Sequence, residues 1–217
     1  NVAIGARHAL MQCGVRRVLI VDWDVHHGNG TQHSFYDDNH VLYFSIHQFP
    51  FYPGTGHFRE TGHGAGAGYT INCPLTFGAD DGLYVRIFRT LLVPVIRQFK
   101  PELILVSAGF DTHEDDPLGS MRMTPRGYAA LTRILMDEAD TCCKGRVVLA
   151  LEGGYHLPAL AESVRAVLKE LRDETRMSEE KLDAMEQSTR VSSVTEIERV
   201  RDQIRPFWPG LSLRRTF

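Results

Sequence analysis

The junction after residue 21 constrains this chain more than any other feature. Residues 18–21 are an unbroken apolar run, the pattern of a parallel strand buried on both faces, and Asp22-Trp-Asp-Val-His-His-Gly-Asn-Gly follows without a spacer. If the extended backbone continues, Asp22, Asp24 and His26 lie two residues apart and face one side. In an open parallel sheet the carboxyl ends of strands border the ligand crevice, so two carboxylates and an imidazole converge where a metal ion could sit. The bland alternative is a loop of surface acids that includes a helix N-cap. Three ligand-type groups directly after a core strand are costly to place without a cation, which favours the metal.

The rest of the chain repeats one grammar. Residues 1–13 have helical apolar spacing and Gly14 is placed to stop them in the left-handed conformation. Strands are expected over 15–21, 41–47, 69–74, 103–107 and 147–151, and helices over 29–36, 80–99, 124–140, 157–171, 178–187 and 194–204. Thr124 and Pro125 read as the cap and first residue of their helix. Residues 48–68 hold too much Gly and Pro for a regular element. No Gly-Lys-Ser/Thr follows them, so a phosphate cradle is not expected. Strand, loop and helix alternate without an internal sequence repeat, which predicts an α/β fold on a parallel sheet. A chain of 217 residues with 43% apolar content suits one domain with one sizeable core.

Charge and cysteine usage narrow the function classes. Twenty-four basic and 27 acidic residues are spread along the chain for a net charge of -3, with no basic stripe in the sequence to suggest direct nucleic-acid binding. Cys13, Cys73, Cys142 and Cys143 form no C-x-x-C pair, so a reducing compartment is expected, the cytoplasm or, in a eukaryote, the nucleus. No apolar run approaches a membrane span and no leader opens the chain, which predicts a soluble protein without membrane partners.

Three strands end in unusual groups: Asp24 with His26, then Asp111, then Tyr155. Alone, Asp111 reads as a loop acid and Tyr155 as a turn residue. On one edge of a parallel sheet they can meet, and Asp-His-Asp leaves a fourth position for water, as a catalytic zinc requires. Carboxylate-rich ligation also suits iron or cobalt.

These residues fall within motifs that resemble a known family. Asp-Trp-Asp-Val-His-His-Gly-Asn-Gly-Thr-Gln from Asp22, Phe-Tyr-Pro-Gly-Thr-Gly from Phe51, Ser-Ala-Gly-Phe-Asp from Ser107 and Leu-Glu-Gly-Gly-Tyr from Leu151 are similar to the zinc-dependent histone deacetylases, closest to class II and bacterial histone-deacetylase-like amidohydrolases. The likeness covers residues 1–171, with 172–217 as outer helices of the same single domain. It implies a three-layer α/β/α fold of the arginase/deacetylase type with a mostly parallel sheet. It also implies Asp24, His26 and Asp111 as zinc ligands and Tyr155 as donor to the substrate carbonyl oxygen. A potassium site would use Asp22, Ser45 and the carbonyl of Ile46, with main-chain oxygens of Asp24 and His26. A second monovalent site would use carbonyls near Phe35, Asp38, Val41 and Tyr69. Tyr52 matches a wall of the acyl-lysine tunnel and Gly154 its floor.

The same resemblance places the family's general-base His pair on a Gly-His-His loop upstream of Asn1, along with the first strands of the sheet. This stretch is therefore expected to lack both, and to need that upstream segment as a partner. His27 is expected to pack behind the metal ligands, and Asn29 matches the residue that orients the second histidine of the pair. The implied activity is removal of acetyl or other acyl groups from protein lysines. Deacetylation of acetylpolyamines is the alternative enzyme reading, and a non-catalytic acyl-lysine binder or inactive fragment the alternative of another class.

Overall fold

The computed structural model describes residues 1–189, 191 and 194–211. Five strands form one sheet: β1 (Val18–Asp22), β2 (Val41–Gln48), β3 (Thr70–Leu75), β4 (Leu103–Ala108) and β5 (Val147–Leu151). Their order is β3-β2-β1-β4-β5 and every neighbouring pair is parallel. From β1 the chain steps outward through β2 and β3, then returns to lay β4 against the other edge of β1. The direction of winding thus reverses between β1 and β4, the position at which sheets of this kind open a crevice.

Side chains alternate across the central strands and split the interior in two. Val18 and Ile20 of β1 pack with Val41, Tyr43 and Leu105 beneath α1 (Val2–Gln12) and α2 (Asn29–Phe35). Leu19 and Val21 face the larger core with Leu42, Phe44, Ile104 and Val106. That core is covered by α3 (Asp81–Ile87), α4 (Val93–Phe99), α5 (Pro125–Cys143), α6 (Leu157–Leu171), α7 (Glu179–Ser188) and α8 (Val194–Ile204). Helices on both faces of a parallel sheet make the three-layer arrangement. The outer helices share the core, since Leu182, Met185, Ile197, Val200 and Ile204 are all buried in it.

One element departs from the sequence expectation. The single helix expected over 80–99 is divided by a π-helical turn at Phe88–Leu92, where the Val93 N–H reaches back to the Phe88 carbonyl. Pro94 follows at once and has no N–H to give to the carbonyl four residues before it, so the ordinary ladder cannot run through this point. Among the described residues β5 has no neighbour beyond β4, and Val148 is 54% and Leu151 58% exposed, the open face and edge expected of a stretch without the first strands of its sheet. Among the described residues no helix is long and apolar enough to cross a membrane.

Candidate metal centre

Extended backbone stops at Asp22, which corrects the expectation that Asp22, Asp24 and His26 face one side. The Asp22 carboxylate turns back to accept the Asp24 N–H (3.2 Å), and the Asp24 carboxylate accepts the His26 N–H (2.8 Å). Two successive aspartate turns therefore replace the strand, because short acidic side chains compete with a sheet ladder for nearby N–H groups. Asp22 is left beneath the turn, buried, with the Tyr43 hydroxyl donating to it (2.9 Å). Burial and then the charge of Asp24 push its carboxyl well above the usual range.

Asp24 and His26 instead meet Asp111 from the end of β4. One ligand-type atom from each of the three lies within 4.8 Å of the other two. His26 Nδ1 is 3.0 Å from Asp24 Oδ1 and 3.2 Å from Asp111 Oδ2. Hydrogen bonding to Asp111 first and Asp24 second raises the imidazole to about 10, so this cluster strongly favours a positive charge. Asp111 is fully buried; its Oδ1 accepts the Val25 N–H (2.8 Å), whereas Oδ2 has no well-directed donor. A buried carboxylate oxygen left in that state, beside a second carboxylate and an imidazole, fits a divalent cation better than a hydrogen-bonded turn. Desolvation and the Asp24 charge hold Asp111 above its ordinary value, as expected where negative charge is concentrated.

Two glycines make the approach of these groups possible. A Cβ at Gly109 or at Gly153 would overlap Asp24 Oδ2 or Asp111 Oδ2, so any side chain there displaces a ligand. The Gly153 N–H donates to Asp24 Oδ2 (3.2 Å) and its carbonyl accepts the Phe110 N–H (2.8 Å), lacing the loop after β5 to those after β1 and β4.

Tyr155 follows on that same loop, 55% exposed; partial burial first, then the charges of Asp111 and Asp24, raise its hydroxyl above the ordinary phenol value. Its turn is pinned by Asp116, whose Oδ2 accepts the Tyr155 N–H (2.6 Å) and the His156 N–H (3.3 Å). Gly154 adopts φ +138°, and a Cβ there would crowd Leu160 and Phe110.

The aromatic loop lies on the other side. Phe51 stacks on the His26 ring at 5.7 Å between centroids, and Tyr52 meets the same ring edge-on at 6.1 Å while remaining 76% exposed. A polar chain ties this loop down. Glu60 accepts from the His57 N–H (2.9 Å) and from Gln32 Nε2 (2.7 Å). Gln32 Oε1 receives the Asn72 amide (2.8 Å) and His27 Nε2 (3.0 Å). His27 therefore carries its proton on Nε2 and accepts the Thr55 hydroxyl at Nδ1 (2.8 Å). Burial lowers His27, and burial aided by His27 lowers the neighbouring His47 to about 3, so both rings are neutral.

The other residues singled out in the sequence occupy separate places. Ser45 is opposite Asp22 in the β1–β2 register and bonds His47 Nδ1 (2.9 Å); Ile46 follows it in the same buried strand. The Phe35 carbonyl accepts the Asp38 N–H, the Tyr69 carbonyl accepts the Tyr43 N–H, and Val41 opens β2. Asp38 is ion-paired to Arg7 (2.5 Å). Asn29 is exposed and its side chain accepts the Gly30 N–H (3.0 Å). Sequence reasoning missed Gly109, Gly153, Phe51 and Asp116. The glycines were legible only as parts of motifs, and Asp116 sits in a loop with no pattern of its own.

Comparison with known proteins gives a consistent picture. The family described as the histone deacetylase domain matches residues 1–171. A probable deacetylase of Archaeoglobus fulgidus is 48% identical over 155 residues, covering 71% of this chain and 43% of that protein. Histone deacetylase HDA1 of Candida albicans is 46% identical over 179 residues, covering 79% of this chain and 21% of its own length. The crystal structure of the HDA15 HD domain superposes with a TM-score of 0.86 at 38% identity, covering 97% of this chain and 57% of that one. This chain thus spans less than half the length of both of these relatives.

Proposed function

This chain belongs to the histone deacetylase family, and from that premise we propose that it contributes the metal-binding half of an amidohydrolase site that removes acetyl or related acyl groups from lysine side chains of proteins. The observation that carries the reading is the Asp24, His26 and Asp111 cluster, in which the buried Asp111 Oδ2 has only the ligand-type His26 Nδ1 beside it at 3.2 Å, with the Tyr155 turn laced to it. Zinc is the ion we assign to these three residues; bound there, it would polarise the amide carbonyl and acidify water.

The side chains do the rest. Tyr155 donates its hydroxyl to the amide oxygen as negative charge builds on it, and Asp116 holds the turn that aims it. Phe51 and Tyr52 flank the lysine's aliphatic stem over His26, with Gly154 beneath. His26 is committed to the metal, and His27 is buried against Thr55 and Gln32; we assign neither the removal of a proton from water. Asp22, Ser45 and the Ile46 carbonyl are assigned to a structural potassium ion, which would relieve a carboxylate buried at the base of the turn. The monovalent site near Phe35, Asp38, Val41 and Tyr69 is assigned on resemblance alone. Four cysteines without a disulfide suit a reducing compartment, the cytoplasm or nucleus.

The test compares turnover of an acetyl-lysine peptide and of an acetylpolyamine by the complete zinc-loaded protein. Faster turnover of the peptide is expected. A clear preference for the polyamine would replace the substrate class, and turnover of neither would leave a binding module.

A further inference from the structure

Five cations far apart in sequence are gathered into one groove remote from the metal centre. Arg126 comes from the first turn of α5, Arg165 and Lys169 from one face of α6, Arg176 from the segment after α6, and Lys181 from the first turn of α7. They line a concavity of about 690 Å³, and all five side chains are exposed. No local pattern in the sequence announces this cluster, because no two of the five are adjacent.

None of the five makes a side-chain hydrogen bond or ion pair among the described residues. Elsewhere arginines are paired: Arg7 with Asp38, Arg89 with Glu179, Asp183 and Glu186, Arg97 with Glu138, Arg133 with Glu170. The groove's own acids do not balance it. Glu170 is buried against Arg133, and Glu174 pairs with Arg172 (2.9 Å), leaving Glu162, among the described residues, as the one lining carboxylate without an ion pair. Arg176 shares a field with Asp137 across α5 but does not pair with it. Arg126 and Lys181 also lie at helix N-termini, where the backbone already presents positive partial charge. Five like charges so placed repel one another, and an anion in the groove would relieve all of them.

The lining decides which anion. Ala129, Ala166 and Met177 give the floor an apolar strip, and among the described residues no aromatic side chain lines the groove. Binding of single-stranded nucleic acid relies on aromatic stacking, which this lining does not offer. A short acidic peptide suits both features, carboxylates to the cations and an apolar side chain to the strip. We propose that this groove docks an acidic peptide segment of a partner protein.

Fluorescence anisotropy of a labelled peptide alternating glutamate and leucine tests this on the purified protein. Binding is expected to weaken at least about tenfold as salt rises from about 50 to about 300 mM, since exposed charges are screened. Replacing Arg165, Lys169 and Arg176 together by glutamine should weaken it by a similar factor while metal content and circular dichroism stay unchanged. Should that variant fold poorly, Arg126→Gln with Lys181→Gln probes the same groove from two other elements. The proposal is overturned if the peptide does not bind at low salt, if both variants bind it as the parent does, or if a single-stranded oligonucleotide of equal charge binds more tightly through the same residues.

Discussion

Asp111 shows how much depends on one carboxylate. One oxygen is fixed by the Val25 N–H and the other is left for a cation, so a shorter side chain removes both the ligand and the tie between the loops after β1 and β4. Asp111→Ala should purify without its divalent ion, because two remaining ligands rarely hold one; stoichiometric zinc by elemental analysis would sink the assignment. Tyr155 tests the chemistry separately. If the complete protein has the proposed activity, Tyr155→Phe should keep its metal yet lose turnover by about 10² to 10³, the range for removing one oxyanion donor, and unchanged turnover would make it a packing residue. At this scale the sequence was informative where side-chain type carries the pattern: Asp24, His26 and Asp111, which the fold brings together, and Tyr155 all lie in loops that follow strands. It was misleading for Asp22, which has the right type and spacing but lies beneath an aspartate turn that alternation alone could not foresee. It was silent on Asp116, whose role is to accept two backbone N–H groups that only the folded loops bring near.

Elements were legible where their pattern was strong. Apolar runs marked β1, β2 and β4, and their ends shifted by only a few residues. The π turn was not, because its cause is the missing N–H of Pro94, which an apolar period does not register. One contact between helices carries a pH dependence. Asp81, at the start of α3, accepts the N–H (2.8 Å) and hydroxyl (2.6 Å) of Thr124, which caps α5 by position but makes no side-chain cap bond there. Burial nevertheless raises Asp81 from 3.8 to about 6. The folded state then binds this proton more tightly than the unfolded chain, so the carboxyl favours folding most when protonated. Its contribution is lost progressively as pH rises from about 4 to about 6. Asp81→Asn removes the titration. Relative to that variant, the parent should lose stability to urea across this interval and no further above it; a constant difference would mean that Asp81 is not perturbed.

For the whole molecule, the alternation of strands and helices implied a parallel sheet but not the order of its strands. That order depends on which edge of β1 receives β4, a choice made by the packing of α3, α4 and α5 on one face rather than by any local signal. Within the described residues β5 has no neighbour beyond β4, and Val148 and Leu151 are exposed. An apolar strand with an open edge invites pairing with another chain. This polypeptide should therefore associate with rising concentration, and Val148→Lys with Leu151→Lys should reduce that association in sedimentation velocity. No change on substitution would place the sticky surface elsewhere.

The reversal of winding between β1 and β4 also imposes a schedule on synthesis. Residues through β3 leave the ribosome while one edge of β1 is still unpaired, and that edge waits until Leu103–Ala108 has been made. Asp24 and His26 have been made by then, but Asp111, the third of the proposed ligands, follows β4. A nascent chain can therefore offer a metal only two of the three groups until its central strand is sealed, which delays loading until the sheet that must hold the ion has closed around it.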